Sequence, residues 1–204
     1  MARPKTDTRE RLLAAAIDAA AEHGFSQLSL RRLAEYLGTS HRMLLFHFGS
    51  KDALLLEIVR AVEQQQRHAV APSGAERHEP NAGSPAARMN EFWDRLRDPA
   101  MWPYERLFFE IYVQAMRGTE PAAKLLDHDV DSWVETMVAM LTEAGVEAAA
   151  ARVDARLMLA VCRGLLLDLV ANGDPDAVDS AMRRFGSFML RAHPELRPGD
   201  PGSH

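Results

Sequence analysis

The chain has 204 residues, 47% hydrophobic and 26% charged, with a net charge of −5 and a single cysteine, Cys162. Such values exclude full-length disorder and collagen, leave enough mass for one large domain or a small and a larger one, and rule out an intrachain disulfide. No run approaches about 18 uninterrupted apolar residues and Met1 to Glu10 is polar, so no membrane partner and a cytoplasmic location are expected.

Apolar spacing and turn residues divide the first 70 residues into four predicted helices. The first starts near Thr6 or Asp7 and runs to His23, with Leu12, Leu13, Ala16, Ile17 and Ala20 on one stripe and Gly24 at its end. Ser29 is placed to cap a short second helix over 30–37, which Gly38 stops. After the turn Gly38-Thr39-Ser40, Ser40 caps a third helix over 41–48, ended by Gly49. Ser50 caps a fourth from Lys51 to about Arg67, lined by Leu54, Leu55, Ile58, Val59 and Val62.

Beyond Val70 the composition turns to Pro, Gly, Ser and Ala, which predicts a flexible loop over 70–86. Helical patterns resume over 86–96, 103–116, 121–144, 147–170 and 175–191, with prolines at first-turn positions, where their missing N–H costs nothing. No strand is predicted. The Pro- and Gly-rich end, 193–204, reads as a disordered tail. The fold class is therefore all-α, of about nine helices.

Charge is unevenly placed. Residues 1–60 hold nine Lys and Arg against seven Asp and Glu, so a mildly basic head precedes an acidic body, a polarity that suits contact with a polyanion at the front. Two short capped helices joined by a three-residue Gly-containing turn form the helix-turn-helix pattern. A helix fits the DNA major groove, and the leading residues of the second helix, Ser40, His41, Arg42 and Met43, then lie closest to base edges. Arg31 and Arg32 sit on the helix that crosses the backbone and are candidates for phosphate. Lys51, with the free N–H groups that open the fourth helix, is a second phosphate clamp.

The run Leu28-Ser29-Leu30-Arg31-Arg32-Leu33-Ala34-Glu35-Tyr36-Leu37-Gly38-Thr39-Ser40, followed by Leu44 and His47-Phe48-Gly49-Ser50-Lys51-Asp52-Ala53-Leu54-Leu55, resembles the DNA-binding domain of the tetracycline-repressor (TetR) family of transcriptional regulators. The likeness covers about residues 8–58. It implies a groove contact by Arg31, a turn and leading recognition residues at Thr39 to Met43, a place for His47 in the DNA-contacting set, and a phosphate grip by Lys51. One position departs from the family pattern: Leu45-Phe46 stand before His47-Phe48, so the tyrosine hydroxyl that usually binds phosphate is absent. His41-Arg42 leave Arg42 as a candidate for bidentate guanine readout, the alternative being a phosphate contact.

The resemblance also implies a homodimer on a palindromic double-stranded DNA operator, released by a small apolar or amphipathic effector, with no cofactor and no enzymatic activity. It divides the chain into a helix-turn-helix domain at 1–52 and a helical ligand-binding and dimerisation domain at 53–192, joined by the long fourth helix. Apolar stripes in the last two helices make Leu157, Val161, Gly164, Leu165, Val178, Met182, Phe185 and Met189 the expected dimer interface. Aromatic and Met residues of the middle helices include Trp93, Phe109, Tyr112, Met116, Trp133 and Met137, the expected pocket lining. Glu110 and Asp168, within apolar runs, would orient a ligand if they face inward and are otherwise solvated. Two other readings stand beside this one. A DNA-binding or architectural protein with a filled body would not be inducible, and Asp127-His128-Asp129-Val130-Asp131 offers metal ligands for a helical hydrolase.

Overall fold

The computed structural model describes residues 5–70, 85–125 and 129–197, and every regular element among them is helical. In chain order these are α1 (Lys5–His23), α2 (Leu30–Tyr36), α3 (His41–Phe48), α4 (Lys51–Val70), α5 (Pro85–Leu96), α6 (Trp102–Met116), α7 (Asp129–Glu143), α8 (Ala148–Asn172) and α9 (Pro175–Ala192). Short 3₁₀ turns lie at Phe25–Gln27, Pro99–Met101, Ala122–Leu125 and Pro194–Leu196. Among the described residues no helix is long and apolar enough to cross a membrane.

The short helices survive because their ends are satisfied locally. The Ser29 hydroxyl accepts the Arg32 N–H at 3.2 Å, Ser40 accepts Met43 N–H at 3.2 Å, and Ser50 accepts Ala53 N–H at 3.1 Å. Each bond quiets one orphan donor and contributes about 1 kcal/mol, which counts most for α2 and α3, of 7 and 8 residues. Gly38 holds φ at +60°, which lets the Thr39 N–H turn back to the Ala34 carbonyl at 3.0 Å and sets the angle between α2 and α3. The expected capping serines are therefore all in use.

The chain packs as two compact units: residues 1–66 with 103–127, and 67–102 with 128–204. In the first, Leu33, Leu44, Leu54 and Ile58 are fully buried in a cluster that also takes in Ala16, Ala20, Phe25, Phe48 and, from α6, Leu107 and Ile111. Burying one such side chain contributes roughly 1.5–3 kcal/mol, so a few aliphatic anchors suffice to hold α3 by one side. In the second unit Trp93, Leu141, Ala151, Ala155, Leu169 and Val178 are buried. Asp174 caps α9 by accepting the Ala177 N–H at 3.1 Å, and Pro175 occupies its first position.

Two sequence expectations change. The helix expected over 121–144 is a 3₁₀ turn, Ala122–Leu125, and a separate α7 from Asp129; the Glu120–Pro121 bond that precedes the turn is cis. The tail expected to be disordered from 193 is packed at its start. Leu196 is buried, and His193 meets the Asp154 carboxylate at 2.7 Å and Glu195 at 3.2 Å. Burial of one leucine and two polar side-chain contacts outweigh the chain entropy that the Pro-rich composition suggested. Most of the expected loop, 71–84, and residues 198–204 lie outside the described residues.

Candidate nucleic-acid interface

Helix α3 turns Leu44 and Phe48 into the core and leaves His41, Arg42, Met43 and Phe46 exposed. Spacing of 42, 43 and 46 puts these three on one outward face. Arg31, Arg32 and Lys51 are exposed as well. Arg31 makes one ion pair, with Glu35 at 3.6 Å, between two well-exposed side chains; water screens such a pair, so the guanidinium is cheaply transferred to a phosphate. Ser40 spends an acceptor lone pair on its cap and keeps the O–H free to donate. Thr39 is half-buried in the turn. His47 is half-buried too, its ring edge-on to Phe46 at 5.1 Å and near Phe48 at 6.4 Å.

Two residues that sequence reasoning did not single out flank α3, Phe46 on its outward side and Arg9 behind it. Phe46 is 62% exposed on the outward side of α3, its ring edge against His47. The signal was present as the departure Leu45-Phe46. Arg9, counted among the basic residues of the head, is instead a staple: its guanidinium binds the Glu57 carboxylate, donates from Nε to the His47 carbonyl at 3.3 Å, and lies over the Phe48 ring at 5.2 Å. It ties α1, α3 and α4 together at the rear of the reading helix.

Glu110 corrects another expectation. It neither faces a ligand nor stands in solvent; from α6 its Oε2 accepts the Phe25 N–H at 2.8 Å and its Oε1 the Ser26 N–H at 2.8 Å, with the Ser26 hydroxyl bonded to the same oxygen. Gln114 Nε2 donates to Ser26 Oγ at 3.1 Å, and Tyr104 Oη donates to Asp18 Oδ1 at 2.7 Å. That hydrogen bond to Asp18, with some burial, holds the Tyr104 phenol above its ordinary pKa. Gly24 is required here, because its φ is +86° and a Cβ would stand 3.4 Å from Glu110 Oε2. All these contacts lie within the first unit.

The second unit contains a cavity of about 570 Å³ among α5, α7, α8 and α9. Of the expected lining residues Trp93 borders it; the other five do not. Phe109 and Tyr112 pack half-buried against the first unit's core, Met116 is 61% exposed, and Trp133 and Met137 are buried elsewhere. Aromatic content marks apolar surface but not which void it faces. Five of the chain's ten methionines line the cavity instead: Met89, Met140, Met158, Met182 and Met189. The cavity also takes Phe185 and Gly186, so the side of α9 assigned to dimer contact faces inward.

Val178, Met182 and Met189 are thus buried within one chain, a correction to the expected interface. The exposed apolar stripe runs along α8 through Val153, Leu157, Ala160, Gly164 and Leu167, with Val153 70% exposed, and along α9 through Ala177, Ala181 and Phe188. Leu157 and Gly164 of the expected set are on it; Val161 and Leu165 are half-buried beside it. Asp168 is exposed and accepts from Asn172. Cys162 is buried, and desolvation pushes its thiol up to about 12, where it is chemically quiet.

For the metal alternative, Asp127 and His128 lie outside the described residues, while Asp131 is exposed and pairs with Arg156 at 3.5 Å. Among the described residues no three His, Cys, Asp or Glu side chains are grouped to hold an ion.

A capped, exposed α3 set by a Gly turn behind α2, with every regular element among the described residues helical, is the helix-turn-helix arrangement that DNA-binding proteins use. Residues 12–58 match the bacterial regulatory proteins of the tetR family. The HTH-type transcriptional repressor AcnR of Corynebacterium efficiens is 27% identical over 122 residues, 60% of this chain and 58% of that protein. The chain therefore matches less than two thirds of that relative's length. A transcriptional regulator from Rhodococcus sp. Rha1 has the same fold, with a TM-score of 0.72 and 25% identity across 90% of this chain and 96% of its own. BioQ, crystallised with its double-stranded DNA operator, shares the fold at a TM-score of 0.54 and 20% identity, over 91% of this chain and 98% of its own. Residues 12–58 are therefore a helix-turn-helix domain of the tetR family's type, in a chain that shares the fold of transcriptional regulators.

Proposed function

We propose that the protein is a cytoplasmic repressor that binds a palindromic operator as a homodimer and leaves it when a small molecule occupies the body. The observation that carries the DNA half is the outward face of α3, where Arg42, Met43 and Phe46 are exposed while Leu44 and Phe48 anchor the helix from behind. Arg42 suits the two acceptors of guanine, and Met43 and Phe46 suit the methyl of thymine. Arg31, Arg32 and Lys51, with the Ser40 hydroxyl, suit the flanking phosphates and fix register. Thr39, His41 and His47 border this surface. The names of AcnR, a repressor, and of BioQ with its operator support the same reading.

Pairing falls to the exposed stripe of α8 and α9. Small residues at Ala160, Gly164, Ala177 and Ala181 admit close helix approach, and Val153, Leu157, Leu167 and Phe188 supply apolar area that a monomer leaves in water. Two chains related by a two-fold axis present two reading helices about 34–36 Å apart, or a multiple of that. In this division residues 1–52 read DNA and 53–192 pair and sense. Helices α4 and α6 each have residues in both compact units.

Selection of bound duplexes from a random pool, at stated salt, tests the proposal. The expected product is an inverted repeat containing guanine and thymine in each half-site, bound by one dimer. A pool that stays unenriched at low salt, or enrichment of a single unrepeated half-site, overturns it.

A further inference from the structure

The body cavity differs from a plain apolar void in the state of its two arginines. Arg97 is neutralised: it pairs with Asp94 at 2.9 Å and with Asp179 at 2.8 Å. The other Asp179 oxygen accepts the Trp93 indole N–H at 2.7 Å, which fixes this wall. Arg183, one turn further along α9, also lines the cavity, yet its guanidinium bonds to the Ser180 hydroxyl at 3.1 Å and to no carboxylate among the described residues. A guanidinium has five donors in a planar fork that matches a carboxylate. The remainder of the lining is dominated by methionine thioethers, Leu141, Phe185 and Leu190, a polarisable and deformable surface of drug-sized capacity.

We propose that this cavity binds an amphipathic monocarboxylic acid, its apolar body among the methionines and its carboxylate on Arg183. The inference rests on the reading of the body as an effector site and names the chemical class of that effector. An ammonium head would have to share Asp94 and Asp179 with Arg97, which already bonds both, and would leave Arg183 as a second cation in the same cavity. A neutral head would leave the guanidinium to water. An anion is the head group that Arg183, exposed at the cavity and paired with no carboxylate among the described residues, can hold with its planar fork.

Titration calorimetry with decanoate, 1-decanol and decylamine, all below their aggregation limits, tests the class. Decanoate is expected to bind once per chain, and R183Q to weaken it at least tenfold while binding decanol as the parent does. R183K should fall between. Gly186→Leu supplies a second variant that needs no lost charge. A Cβ at Gly186 meets nothing within 4 Å, so the larger side chain can grow into the cavity without disturbing the fold, and it should abolish binding of every probe. Equal binding of acid, alcohol and amine, preference for the amine, or indifference of decanoate to R183Q overturns the acid assignment while the effector reading stands. Decanoate binding that follows Arg183 but leaves operator affinity unchanged supports the site and sinks the effector reading. Absence of binding by all three probes, in the parent as in Gly186→Leu, overturns both.

Discussion

Glu110 and Phe25, 85 positions apart in the chain, meet where the α6 carboxylate accepts the Phe25 backbone N–H at 2.8 Å. The same carboxylate takes the next N–H, of Ser26, at 2.8 Å. It thereby closes the turn that follows α1, and the helix bearing it is joined to the reading head by bonds rather than by apolar contact alone.

Removing that carboxylate strands two backbone donors. Glu110→Ala is expected to lower stability by about 2 kcal/mol, the scale of hydrogen bonds to a charged group, and Glu110→Gln by less because one amide oxygen still accepts. Gly24→Ala should cost about 1 kcal/mol or more, since alanine resists φ of +86°. Urea unfolding with unchanged slope checks all three. A change in slope without a shift in midpoint would deny the clamp its structural role.

On DNA, two exposed α3 side chains and the flanking cation should separate by character. Arg42→Ala is expected to cost about 1–3 kcal/mol at its guanine and to relax preference at one position per half-site. Phe46→Ala should relax preference for thymine without altering the salt dependence. Lys51→Ala should weaken all sequences alike and flatten the salt slope by about 1. Binding titrations on matched and mismatched duplexes at several salt concentrations distinguish them, and uniform weakening by Arg42→Ala would reassign that residue to phosphate.

Leu167→Glu places a charge on the exposed stripe of α8 and is expected to yield folded monomers that bind the operator at least a hundredfold more weakly. Val178 is buried in its own chain, so Val178→Ala should leave the dimer intact and lower stability by about 1–3 kcal/mol. Sedimentation equilibrium and thermal unfolding give opposite orders for the two variants. Monomers from Val178→Ala but not from Leu167→Glu would restore the interface first expected from the sequence.

The Tyr104 phenol donates to Asp18, and its pKa is raised above the ordinary value of 10.0. A group raised on folding contributes stability that is complete below its unfolded pKa and disappears as pH climbs through the folded one. Loss of stability above about pH 10 should therefore be steeper in the parent than in Tyr104→Phe, which lacks the titrating group. Denaturation midpoints between pH 8 and pH 11.5 check this; identical alkaline curves would show the bond to be idle.

What could be read along the chain was whatever depends on neighbours a few residues away. Ser29, Ser40 and Ser50 cap their own helices, Gly38 and Gly49 end them, and the spacing of Leu44 and Phe48 assigns the inner side of α3, so the reading head and its exposed Arg42 were legible from local pattern. Periodicity fails where two answers share one period. Helix α9 carries an apolar stripe through Val178, Met182, Phe185 and Met189 and another through Ala177, Ala181 and Phe188, and only the packed neighbours decide which of them is left to water. The same holds for polar groups whose partners are remote. Arg9 looks like any basic residue of the head until Glu57, 48 positions away, holds it, and Glu110 looks like a solvated carboxylate until the chain brings two free N–H groups to it. Local rules settle backbone conformation because their energies act within a turn; the partner of a buried or bonded side chain is chosen by the packing of the whole unit.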